Sequence, residues 1–139
     1  MELYDIARRM FLEIEGNAEG KKVLGLFRFV LQFQVAEGEP FFVNIDRGRY
    51  SFHRGVTLEP DPMCVLTCES DRRTFFGLMV GQLEPVETNF SGKMFIPNAF
   101  GKRVLANCSL RLLRIGQESM LKALLNGDAQ VGQIYGGVR

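Results

Sequence analysis

The chain has 139 residues, a length that suits one domain with a core of its own. Apolar residues make up 46% and charged residues 24%, which excludes a disordered tail or a collagen-like repeat. Seventeen basic residues against sixteen acidic ones leave a net charge of +1, which speaks against a dedicated nucleic-acid binder.

Residues 2–14 place Leu3, Ile6, Ala7, Met10, Phe11 and Ile14 at three- and four-residue spacing. This predicts an amphipathic helix closed at Gly16-Asn17. A shorter helical piece is expected from Ala18 to Leu24. The period then becomes two. Phe27, Phe29, Leu31, Phe33 and Val35 alternate with Arg28, Val30, Gln32 and Gln34, as in a strand with one aromatic face. Glu37 to Pro40 turns the chain into a second strand, Phe41–Asp46, and Arg47-Gly48 turns it into a third, Arg49–His53. Two tight turns in succession predict an antiparallel meander. After a loop carrying Gly55, Pro60 and Pro62, Met63–Cys68 reads as a fourth strand. Ser70 and Asp71 are candidate caps for a helix reaching Val80. Pro85 can open a short helix to Asn89, and Lys93–Ile96 reads as a fifth strand stopped by Pro97-Asn98. Residues 99–114 read as a helix, and Ser119–Leu125 as a last amphipathic piece.

No basic leader followed by an apolar run opens the chain, and no stretch reaches about 18 uninterrupted apolar residues. Cys64, Cys68 and Cys108 are odd in number and lack framework spacing, which suits a reducing compartment. The end, Gly136-Gly137-Val138-Arg139, is no peroxisomal or endoplasmic-reticulum address. A cytoplasmic location is expected.

The search for reactive groups is mostly negative. No G-x-G-x-x-G or G-x-x-x-x-G-K-[ST] occurs, and Gly20 and Gly25 bracket a stretch without the terminal Lys-Ser/Thr. His53 is the only histidine, and no G-x-S-x-G surrounds a serine. On a strand, Cys64 and Cys68 lie roughly 13 Å apart at about 3.3 Å per residue, too far to share one metal ion. The carboxylate pairs Glu59/Asp61, Glu69/Asp71 and Glu84/Glu87 fall in loops or at helix starts, where acids serve turns and dipoles. Lys102, Arg103, Arg111 and Arg114 have no acid between them. They read as a solvated helix face, or as a weak attraction to anionic membrane headgroups. Twelve Phe and six Met, with no Trp, are more large soft side chains than a small core needs.

Two spans carry a resemblance. One is Phe41-Phe42-Val43-Asn44-Ile45-Asp46-Arg47-Gly48. The other runs from Ser70-Asp71 through Phe75-Phe76-Gly77-Leu78-Met79-Val80-Gly81 and Pro85 to Asn89-Phe90-Ser91-Gly92-Lys93-Met94-Phe95-Ile96. In order and spacing they resemble the sterol carrier protein 2 family, over about residues 23–113. The chain departs from that family at Phe41 or Phe42, where a Trp is frequent, at Pro97, where a Gly often follows the fifth strand, and in its C-terminal tripeptide. The resemblance implies an α+β fold: a five-stranded, mostly antiparallel sheet with helices packed on one face and a hydrophobic tunnel between. It implies a non-catalytic carrier that shields a sterol, fatty acid or acyl-CoA, with no cofactor and no metal.

Apolar, repackable walls are what such a ligand needs. The candidate lining is Phe27, Phe29, Leu31 and Phe33 from the aromatic strand and Phe75, Phe76, Met79 and Val80 from the apolar helix. Phe90, Met94, Ile96, Leu105 and Leu112 complete it. The other reading is an interaction or homodimerisation module of the same fold with a closed interior. An exposed strand edge and the C-terminal helical extension, residues 116–139, would then make its interface.

Overall fold

The computed structural model describes residues 1–137. Its ten elements are α1 (Leu3–Gly16), α2 (Ala18–Leu24), β1 (Arg28–Ala36), β2 (Phe41–Asp46), β3 (Arg49–Arg54), β4 (Val65–Asp71), α3 (Arg72–Met79), α4 (Pro85–Phe90), α5 (Arg103–Leu125) and α6 (Ala129–Gly136). A single 3₁₀ turn, Pro62–Cys64, leads into β4.

Most boundaries follow from local chemistry. The Asn17 side chain accepts the Gly20 N–H and starts α2. Asp71, rather than Ser70, caps α3 by accepting the Thr74 N–H at 2.7 Å. Between β2 and β3, Arg47 and Gly48 both take positive φ (49° and 99°), the pair that a two-residue hairpin of matching twist requires. This turn is tied to the helical layer, since Gly48 N–H donates to the Leu24 carbonyl at 2.9 Å.

The sheet order is β3-β2-β1-β4. The first three strands form the expected meander, with Phe33 opposite Phe41 and Val43 opposite Phe52. β4 joins the other side of β1 in parallel. The expected fifth strand is reduced to one antiparallel bridge, in which Glu69 and Phe95 exchange backbone hydrogen bonds of 2.7 and 2.8 Å. Gly92 (φ 81°) on one side and Pro97 with Asn98 (φ 54°) on the other bend the chain away before a ladder can grow.

α1, α3 and α5 cover the face of β1 that carries Phe29, Leu31 and Phe33, and these residues share one buried cluster with Met10, Ile14, Phe75 and Leu112. The opposite face is covered differently. Gln32 is only 2% exposed. Its amide donates to the carbonyls of Phe41 (3.0 Å) and Gly55 (3.2 Å) and accepts the Thr57 N–H (2.9 Å). One side chain thus pins the loop after β3 across the sheet.

Two helical expectations need correction. α5 begins at Arg103, because the Pro97–Gly101 turn intervenes, and it runs without a break to Leu125 in place of two pieces. Gly116 does not interrupt it. A Cβ there would meet Met10 Cγ at 2.6 Å and Sδ at 2.8 Å, so the missing side chain lets α1 lie close against α5. Within the described residues, 116–137 comprise the end of α5 and α6. Met120, Val131 and Ile134 bury into the main core, while Val138 and Arg139 lie outside the described residues.

Among the glycines, Gly20 at the α1–α2 corner has the least room for a side chain. A Cβ on Gly20 would overlap the Ile14 carbonyl oxygen, with Ile14 Cγ2 at 2.8 Å and the carbonyl carbon at 2.9 Å. Helix propensity alone favours alanine at this helical position by about 1 kcal/mol. Overpacking against backbone costs about 1–3 kcal/mol, and a carbonyl cannot turn aside as a side chain can. We expect Gly20→Ala to lower the urea midpoint; a raised midpoint would show that propensity wins.

Candidate functional site

The sheet and the helical layer do not meet everywhere. Between them lies a cavity of about 10 Å³. Ala7, Met10, Phe11 and Ile14 of α1 form one wall, Leu31 and Phe33 of β1 the second, and Met79 of α3 with Ser109, Leu112 and Leu113 of α5 the rest. Such a space holds about one water molecule. The implied tunnel is thus occupied by side chains. Phe33 stacks on Phe41 (centroids 4.7 Å apart) and meets Phe75 edge-on at 5.6 Å. Hollows of up to about 470 Å³ lie elsewhere on the surface, open to solvent, some mainly apolar and some mixed.

The cavity wall exposes only apolar atoms, although Ser109 borders it. Ser109 is 1% exposed, and its hydroxyl has no hydrogen-bond partner. A buried unpaired hydroxyl costs about 1–3 kcal/mol. A water in the cavity would meet an apolar wall where it needs about two to four polar partners.

The candidate lining residues divide. Leu31, Phe33, Met79 and Leu112 border the cavity. Phe29, Phe75, Val80, Met94 and Ile96 are buried in the same core but do not reach it. Phe27, Phe76 and Leu105 are half-buried at its periphery. Phe90 is 86% exposed and lines nothing inside the domain. Sequence reasoning missed the α1 wall and Ser109. The signal for Ser109 is a small polar residue within the buried stripe Ala106, Leu112 and Leu113 of α5.

The cysteines and the histidine lie outside the cavity lining. Burial pushes the Cys68 thiol up to about 12 and raises that of Cys108, and a hydrogen bond to the Asp61 carboxylate raises that of Cys64. All three are therefore thiols, not thiolate nucleophiles, at neutral pH. His53 Nε2 and Ser51 Oγ are 2.9 Å apart on the exposed strand β3, where His53 also stacks on Phe42 at 5.0 Å. No carboxylate partner orients that histidine among the described residues. Among the same residues no cluster of His, Cys, Asp and Glu could hold a metal ion, and no helix is long and apolar enough to cross a membrane.

A meander of three strands, a parallel fourth strand and a helical layer over one face recur in solved structures. A crystal structure of sterol carrier protein 2 superposes with a TM-score of 0.60 at 16% identity, covering 82% of this chain and 95% of that one. The fold is that of sterol carrier protein 2. A solution structure of a conserved hypothetical protein from Thermus thermophilus, described as possibly a sterol carrier protein, gives a TM-score of 0.54 at 15% identity. It covers 83% of this chain and 86% of that one. In sequence, the chain matches no protein-family model and no curated protein. The sterol carrier protein 2 fold is thus carried here by a distant sequence, with four strands and a nearly closed interior.

Proposed function

We propose that the protein binds one lipid-like apolar molecule, such as a fatty acyl chain or sterol, between its sheet and helices, without catalysis. The observation that carries this reading is the apolar cavity between sheet and helices, bordered by Ser109, whose buried hydroxyl has no hydrogen-bond partner, at the interface where the resemblance to sterol carrier protein 2 implies a tunnel. A ligand enters by displacing side chains. Met10 and Met79 are the movable ones, unbranched and able to repack, and Met10 rests on the bare backbone at Gly116. Burial drives binding at about 25 cal/mol per Å² of apolar area, less the cost of ordering. Ser109 supplies the one directional contact, to a ligand oxygen.

The test is a titration of delipidated protein with the fluorescent fatty acid cis-parinaric acid, with native mass spectrometry for stoichiometry. A saturable one-to-one complex in the micromolar range is expected. Ser109→Ala is expected to weaken it by about tenfold while holding or raising the unfolding midpoint, because removing an unpaired buried hydroxyl relieves about 1–3 kcal/mol. A merely structural serine would change both in the same direction. No complex at all would overturn the reading.

The filled interior favours a second reading, an interaction module that carries no ligand. Its surface is the end of α5, where Leu121 and Leu125 are exposed. Absence of lipid binding, together with a dimer that Leu121→Glu/Leu125→Glu dissolves, would establish it.

A further inference from the structure

The segment from Phe90 to Val104 runs antiparallel along the outer edge of β4 as a strap. Ser70 Oγ donates to the Lys93 carbonyl at 2.6 Å, Glu69 pairs with Phe95, and Lys102 Nζ donates to the Val65 carbonyl at 2.9 Å. Met94 and Ile96 turn inward and are buried. Phe90, Phe95 and Phe100 are 86%, 58% and 86% exposed, and Val104 is exposed too. Single exposed apolar residues are ordinary on a surface, but three phenylalanines on one short strap are an apolar concentration of the kind that marks an interaction site.

Charge is concentrated in the same place. Residues 88–117 contain five basic residues and no acid, while the rest of the chain holds twelve basic and sixteen acidic ones. Arg111 and Arg114 are engaged by Glu19 (2.9 Å) and Glu84 (2.6 Å). Lys93, Lys102 and Arg103 form no ion pair among the described residues, and the Arg103 guanidinium sits 5.8 Å from the Phe100 ring. Two acids border the strap: Glu69, opposite Phe95, and Glu87, on α4 just before Phe90.

We propose that this strap docks on an anionic membrane surface. The rings of Phe90, Phe95 and Phe100 enter the boundary between headgroups and acyl chains, and Lys93 and Arg103 remain at the phosphates. The surface differs from the basic face expected between Lys102 and Arg114, because two of those four cations are already paired inside the molecule. It does not depend on the internal cavity.

The chain contains no Trp, so Phe100→Trp places the only indole on the strap. With vesicles of phosphatidylcholine plus phosphatidylserine, the emission of F100W is expected to shift to the blue and the protein to float with the lipid; phosphatidylcholine alone should give neither. Phe90→Ala/Phe95→Ala is expected to weaken partitioning by about tenfold. Lys93→Gln and Arg103→Gln should each weaken it by about fivefold, with the loss suppressed at high salt. All of these side chains are solvent-facing, so their truncation leaves the core untouched. Unchanged partitioning of these variants would overturn the proposal. So would absence of binding to phosphatidylserine vesicles, or conversion of a dimer to monomers by F90A/F95A/F100A with vesicle binding intact.

Discussion

Alanine in place of Phe33 is expected to lower the free energy of unfolding by about 3–5 kcal/mol. The ring is 2% exposed, stacks on its cross-strand neighbour Phe41, meets Phe75 of α3 and borders the internal cavity. Its removal deletes an aromatic contact between the central strand β1 and the apolar helix α3. It also leaves a void that stiff neighbours on β1 and β2 cannot collapse to fill. Urea unfolding followed by circular dichroism measures the loss. The same variant reports on function, because the new space is continuous with the space beside Ser109. A saturating fatty acid that binds only the folded chain should restore part of the lost stability, about 2.7 kcal/mol at a hundredfold excess over its dissociation constant. A variant as stable as the parent would show that Phe33 is not a keystone. One destabilised but indifferent to ligand would count against the carrier reading.

Gln32→Leu should cost about 2–3 kcal/mol even though it places an apolar side chain in a buried position. The amide is shared among three backbone groups, and its loss strands the Gly55 carbonyl and the Thr57 N–H beneath their own loop. These groups regain water only if the loop lifts. The expected signature is therefore double: a lower unfolding midpoint and faster proteolytic cleavage within residues 55–64. An unchanged cleavage pattern would show that Pro60 and Pro62, not Gln32, hold the loop in place.

Where the chain announced its own structure, the signal was local. The three- and four-residue spacing from Leu3 to Ile14 and the alternation from Phe27 to Val35 place α1 and β1 to within about two residues. Arg47-Gly48 sets the hairpin because few residues other than glycine tolerate its backbone angles. The misreadings came where a residue answers to something distant in sequence. Gly116 resembles a helix breaker by composition, but its lack of a side chain serves Met10, more than a hundred residues earlier. α6 contains two glycines and few strong helix formers. It is held by Val131 and Ile134 in the core and by Asp128, whose carboxylate accepts the Val131 N–H and binds Arg9 at 2.7 Å. The fifth strand has strand-like residues but lacks the straight backbone a ladder needs.

The candidate site was harder to read than the fold. An apolar stripe states that a residue is inside, not whether the opposite wall touches it. Phe29 and Phe33 share one face of one strand, yet only Phe33 borders the cavity. Phe90 occupies a motif position and points to solvent, because α4 ends there and the chain reverses at Gly92. The informative residue was the polar exception in the stripe, Ser109, whose significance depends on an absent hydrogen bond.

The strap along β4 also bears on solubility. An open sheet ends in two rows of unpaired amides that can template further strands and seed polymers. Here one row is capped by residues of the same chain, through the Glu69–Phe95 bridge and the Lys102 ammonium. The other, on β3, is short and begins and ends with arginine, so a second molecule approaching in register would bring like charges together. A chain with so many phenylalanines thereby guards both flanks against amyloid-like stacking.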